Sequence, residues 1–170
     1  MEAKTILETL SQEAAHFLSF RPRSEKEIRD FLLKKFKVKF FHSPEFLEID
    51  KEKFISQVIE QLKKHNLIND SQFVSWWLEQ RSSFNPKSEK VLRLELRQKG
   101  IDEELIEEKL ATIDIMQRQQ AIRQIIEKKI RLYAGLSKFK LRNKLLRYLI
   151  NHGFNYDLAK SLVDEFLEKR

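Results

Sequence analysis

The sequence predicts an all-α protein built from three tandem three-helix repeats, and three observations carry that prediction. Only three glycines and three prolines interrupt a chain rich in Leu, Ile, Glu, Lys and Arg, residues of strong helix propensity. The punctuating residues recur: Arg21-Pro22-Arg23-Ser24-Glu25-Lys26 is echoed by Asn85-Pro86-Lys87-Ser88-Glu89-Lys90, and Gly100-Ile101-Asp102 by Gly153-Phe154-Asn155. No stretch sustains the alternation of apolar and polar residues that a sheet needs.

Aligned on these landmarks, Ile28, Leu92 and Leu145 correspond, as do Leu32, Leu96 and Leu149. Each pair is four residues apart, which places both members on the core face of one helix. Downstream, Leu105, Ile106 and Leu110 match Leu158, Ala159 and Leu162 or Val163. The expected division is residues 1–66, 67–113 and 114–170. Units of about 50 residues bury little surface by themselves, so each is expected to lean on its neighbours.

In the first unit Ser24 and Glu27 form a capping box at the start of the second helix. Phe36 stands where Gly100 stands in the next unit, and the third helix is expected to begin near Asp50. Between them lies an insertion near 37–50. Lys37 to Phe40 alternates like a strand, but a lone strand has no partner. An extended helix end followed by a loop pinned by its aromatics is the expectation.

In the second unit Asp70 is expected to cap the first helix, and Asn85, followed by Pro86 at the first helical position, the second. Gly100 closes that helix and Asp102 caps the next. Trp76 and Trp77 point about 100° apart on a helix, so one is expected in the core and the other in a seam between units or at the surface. In the third unit Ser137 and Asn155 are the expected caps, with Gly153 as the closing turn.

Charge is unevenly spread. The chain carries a net charge of +7, which suggests an acidic partner, nucleic acid foremost. Residues 21–40, 85–100 and 138–152 carry +5, +3 and +5, whereas 101–114 and 153–168 carry −5 and −3. Basic second helices thus alternate with acidic third helices. Lys90, Arg93 and Arg97 share one helix side, as do Lys140, Lys144 and Arg147. Like charges at that spacing cost up to about 0.5 kcal/mol per pair. Either a partner-binding face or a solvated surface accounts for them. The acidic run from Asp102 to Glu108 is favoured by the helix dipole without any function.

Nothing points to catalysis. The chain has no cysteine and no phosphate-cradling glycine loop, and His16, His42, His65 and His152 are not paired at helical spacing. No cofactor or metal is expected. No apolar run approaches the roughly 18 residues of a membrane span, and the N-terminus lacks the layout of a secretory signal. A soluble cytoplasmic binding protein, monomeric and with no membrane partner, is the expectation.

The stretch Leu67-Ile68-Asn69-Asp70-Ser71-Gln72-Phe73-Val74-Ser75-Trp76-Trp77, continued by Arg81 and then by Leu92-Arg93-Leu94-Glu95-Leu96-Arg97-Gln98-Lys99-Gly100-Ile101, resembles the RecX family of bacterial recombination regulators. The pattern is a leucine and acidic pair, Phe, Trp, Arg, then Glu-Leu followed by Lys-Gly-Ile. Phe84-Asn85-Pro86 and the insertion near 37–50 depart from the family pattern. The resemblance implies an elongated, curved array of three three-helix repeats, acting in DNA repair and the SOS response. It implies binding in the groove of the RecA–single-stranded-DNA filament, with inhibition of its ATPase, strand-exchange and coprotease activities. Under that reading Arg21, Arg23 and Arg29, then Lys90, Arg93 and Arg97, then Lys140, Lys144 and Arg147 are the candidate contacts to filament or nucleic acid. A direct nucleic-acid binder and a helical adaptor for other proteins are the alternatives.

Overall fold

The computed structural model describes residues 3–40 and 50–169. Among these residues it is all-α, with nine helices and no strand. They are α1 (Ala3–Leu18), α2 (Glu25–Phe40), α3 (Lys51–Lys64), α4 (Asp70–Phe84), α5 (Glu89–Gln98), α6 (Glu103–Ala111), α7 (Ile115–Leu132), α8 (Lys138–Asn151) and α9 (Tyr156–Glu168). The described residues form two compact units, one within Met1–Trp76 and Gln98–Ile101, the other within Trp77–Arg97 and Asp102–Arg170.

In the first unit α1, α2 and α3 pack pairwise around one core. Ile6, Leu10 and Ala14 meet Ile28, Leu32, Phe36 and Phe40, and Ile55, Val58, Ile59 and Leu62 close the third side. Fully burying a side chain of this kind contributes roughly 1.5–3 kcal/mol, against about 0–1 kcal/mol for an exposed ion pair, so apolar burial holds the bundle together. The alternation at Lys37–Phe40 is the last turn of α2, with Phe40 turned into the core beside Phe36. The expected aromatic-pinned loop falls mostly at residues 41–49, outside the described residues; Asp50 then caps α3 by accepting from Lys53 N.

Several caps differ from expectation. Ser24 does form the capping box, accepting from Glu27 N at 3.2 Å while Ser24 N donates to Glu27 Oε2 at 3.3 Å. Asn69, not Asp70, caps α4, accepting from Gln72 N at 3.0 Å. Asp70 instead accepts from Glu25 N at 2.9 Å, where it serves the first turn of α2. Asn85 and Pro86 do not start α5. The chain leaves α4 with Asn85 N bonded to Arg81 O, and Ser88 is the cap, accepting from Val91 N at 3.3 Å. Ser24 and Ser88 are the truly equivalent residues. Ser137 occupies the cap position of α8 without a side-chain cap bond, while Asp102 and Asn155 cap as expected.

Neither tryptophan is fully buried; Phe73 and Val74 take the core positions of α4. Trp76 tilts against Phe73, with Arg21 stacked over its ring, and Trp77 Nε1 donates to Glu95 at 3.0 Å. Arg81 also stacks over the Trp77 ring at 4.4 Å, so both indoles meet polar partners.

In the second unit α7, α8 and α9 surround Ile122, Ile126, Leu145, Leu149, Ala159 and Val163. Gly153, at φ +81°, closes α8 with Gly153 N bonded to Ile150 O and Phe154 N to Leu149 O. A Cβ there would meet Ser88 Oγ at 2.6 Å. In the first unit a Cβ at Gly100, φ +77°, would meet the Lys26 side chain at 2.6 Å, and Ser24 Oγ donates to Lys99 O at 2.8 Å. The same joint is used twice: the start of one second helix seats on the glycine turn that ends the next.

Candidate functional site

The nine candidate cations fall into two groups: those already neutralised within the fold and those left without a carboxylate. Arg21 donates to both oxygens of Glu27, at 2.7 and 3.2 Å. Lys99 Nζ donates to the same carboxylate at 2.6 Å. Burial works to raise the Glu27 pKa, but these two donors overcome it and hold the carboxyl at about 2. Arg29 donates to Glu52 at 3.2 Å and lies 3.7 Å from Glu25.

On α5, Arg93 grips Glu107 through Nε and Nη2 at 2.6 and 3.1 Å, and Arg97 grips Glu103 through the same atoms at 2.6 Å each. These arginines hold the Glu107 and Glu103 carboxyls below the usual carboxylate range. The alternation of basic second and acidic third helices is therefore an internal pairing between α5 and α6. The pair α8 and α9 repeats it, with Arg142 on α8 gripping Asp164 on α9 at 2.5 and 2.9 Å.

Lys140, Lys144 and Arg147 behave differently. All three are exposed on α8, and among the described residues none meets a carboxylate. Lys144 Nζ sits 4.9 Å from the Tyr133 ring centroid, at the end of α7. Lys90, on α5, is also exposed and unpaired, and its Cβ lies beside Gly153 at the far end of α8. Arg23 has no carboxylate either; its guanidinium lies over the Phe17 ring at 3.8 Å.

Sequence reasoning missed three further exposed side chains around the start of α8. Arg131, near the end of α7, and Lys138 are exposed and meet no carboxylate among the described residues, and Phe139, next to Lys138 in the chain, is 73% exposed. The signal was present: α8 has no acidic residue in its first turn but two lysines there, against the preference of a helix N-terminus. Those lysines are electrostatically unfavourable for the fold, which turns attention to what lies outside it. At 1.5 Å rise per residue, Lys140, Lys144 and Arg147 span about 10 Å along the helix. Such a row can neutralise successive phosphates or a line of carboxylates.

Among the described residues no cluster of His, Asp and Glu is suited to hold a metal ion, and no helix is long and apolar enough to cross a membrane.

The family models for the second and third three-helix domains of RecX match residues 69–110 and 117–163, together just over half of the chain. The chain belongs to the RecX family. Regulatory protein RecX of Oceanobacillus iheyensis is 28% identical over 97% of this chain and 56% of its own length. Regulatory protein RecX of Streptococcus gordonii is 34% identical over 87% of this chain and 52% of its own. The chain thus spans about half the length of the curated relatives it matches. The crystal structure of RecX from Lactobacillus salivarius superposes with a TM-score of 0.73 at 26% identity, covering 98% of this chain and 99% of that one. A second crystal structure, of regulatory protein RecX, shares the fold with a TM-score of 0.70 at 20% identity, covering 95% of this chain and 73% of that one. The matched segments contain α5 and α8, so both candidate stripes lie on RecX three-helix domains.

Proposed function

We propose that this RecX chain binds the RecA–single-stranded-DNA filament and negatively modulates its ATPase, strand-exchange and coprotease activities. The supporting observation is the row of exposed cations Lys140, Lys144 and Arg147 along one side of α8, none of which meets a carboxylate among the described residues. On this reading α8 contacts the phosphates or an acidic protomer surface, with Lys90 as an accessory contact. Arg21, Arg29, Arg93 and Arg97, already paired, act by holding the helices that carry the interface. The chain works as a cytoplasmic monomer, without catalysis, and its repeats divide at 66/67 and 113/114.

The test is the DNA-dependent ATPase of RecA from the same source on single-stranded DNA, titrated with this protein. Inhibition at protein levels well below RecA is the expected result, since a few molecules then disable a whole filament. Inhibition only at levels that coat the DNA supports the alternative of a direct nucleic-acid binder, which the α8 cations suit equally well. No inhibition refutes the modulator reading.

A further inference from the structure

The loop between α1 and α2 and the start of α4 enclose an open groove of about 410 Å³ in the first unit. Phe20, Arg21, Arg23, Leu67, Gln72 and Phe73 are among the residues lining it. Two of its walls are large apolar side chains left to solvent, Phe20 at 69% and Leu67 at 56% exposed. An exposed apolar pair beside a concavity is the usual mark of a contact surface.

Arg23 supplies the polar part. Its Nε is buried without a hydrogen-bond partner, and no carboxylate pairs with its guanidinium among the described residues. It caps a column in which Phe17 stacks on Phe31 at 4.0 Å, with Lys35 over the far face of Phe31. The two ends of this column differ. Lys35 is neutralised by Glu13 at 2.9 Å, whereas Glu27, the carboxylate whose charge acts on Arg23, is held by Arg21 and Lys99. Burial, and after it the adjacent Arg21, lowers the Arg23 pKa, with Glu27 offsetting this only in part. A partly desolvated cation without a counter-ion gains most from an incoming carboxylate.

The geometry points to a second docking site, in residues 18–23 and 67–73, for an extended acidic peptide segment of a partner protein. A carboxylate of the segment pairs with Arg23, and an adjacent large apolar side chain packs against Phe20 and Leu67. The site lies in the first unit, apart from the α8 cations, and does not depend on the reading given for them. Peptide is favoured over nucleic acid because Arg21 is already engaged by Glu27, and the single remaining cation, Arg23, set among apolar walls suits a carboxylate beside an apolar side chain, whereas a phosphate backbone needs a row of cations.

The probe is a fluorescein-labelled hexapeptide alternating glutamate with phenylalanine, compared by anisotropy with its glutamine counterpart on the full chain. The glutamate peptide is expected to bind about tenfold more tightly, and Arg23→Gln to abolish that difference. Phe20→Ser, at an exposed position, is expected to weaken the glutamate peptide about fivefold with helicity unchanged by circular dichroism. Lys140→Ala/Lys144→Ala/Arg147→Ala is expected to leave peptide binding intact. Equal affinity for the two peptides, or discrimination that survives Arg23→Gln but disappears in the α8 triple variant, overturns the proposal. So does competition at this groove by an oligothymidylate that Arg23→Gln removes, which would reassign it to nucleic acid.

Discussion

Glu27 does more than complete a capping box. It accepts from Arg21, Lys99 and its own cap residue, and its pKa sits near 2 against an ordinary value of 4.5. A carboxyl with a depressed folded-state pKa contributes stability that is fully present above its unfolded pKa and is lost as pH falls toward the folded one. Glu27→Gln is therefore expected to destabilise the fold by on the order of 2 kcal/mol at pH 7, with the deficit shrinking between about pH 4.5 and 2. Urea midpoints measured at pH 7 and pH 2.5 decide it; a pH-independent difference would show that packing, not charge, is what Glu27 supplies. Gly153 is constrained in another way, by its left-handed backbone and by the Ser88 hydroxyl where a Cβ would stand. Gly153→Ala is expected to cost roughly 1–3 kcal/mol. Pairing it with Ser88→Gly, which removes the colliding Oγ, should recover the steric part and leave the backbone part, as thermal melts of the two variants would reveal.

At the scale of the element, α5 and α8 look alike in sequence and differ in what their cations do. Arg93 and Arg97 are engaged by Glu107 and Glu103 at the surface, so Arg93→Ala/Arg97→Ala is expected to leave the melting temperature and binding nearly unchanged. The Lys140→Ala/Lys144→Ala/Arg147→Ala variant is expected to keep its helicity and lose binding to the RecA filament. If phosphates are contacted, the slope of log affinity against log salt should fall by about 2 for three single-strand contacts. Equal losses from both variants would mean that the α5–α6 pairs open on binding. The helices themselves were legible because period and punctuation are local: Ser24, Gly100, Asp102 and Gly153 do what their types dictate. Asp70 and Asn69 exchanged roles because either can cap, and only the approach of α2 gives Asp70 a better donor. The two tryptophans misled for a similar reason, since Phe73 three residues earlier fills the core and leaves the indoles to polar partners. The pairing of Arg93 and Arg97 with α6 was not legible, because a helical stripe states which charges share a side, not which helix faces them.

For the whole molecule, the net charge of +7 is a poor guide until it is sorted by partner. A guanidinium gripped by a carboxylate presents a small dipole, whose potential decays faster with distance than that of a lone charge. Lys140, Lys144 and Arg147 meet no carboxylate among the described residues and lie within about 10 Å of one another along one side of α8. Their joint potential extends about a Debye length, roughly 8 Å at physiological ionic strength, before screening removes it. Encounter with a polyanion is then an oriented event. On the proposed reading the α8 side is drawn in first, the molecule turning as it diffuses, while the Arg93–Glu107 and Arg97–Glu103 pairs contribute little at a distance. The arrangement of ion pairs on one helix thus sets which way round the protein arrives.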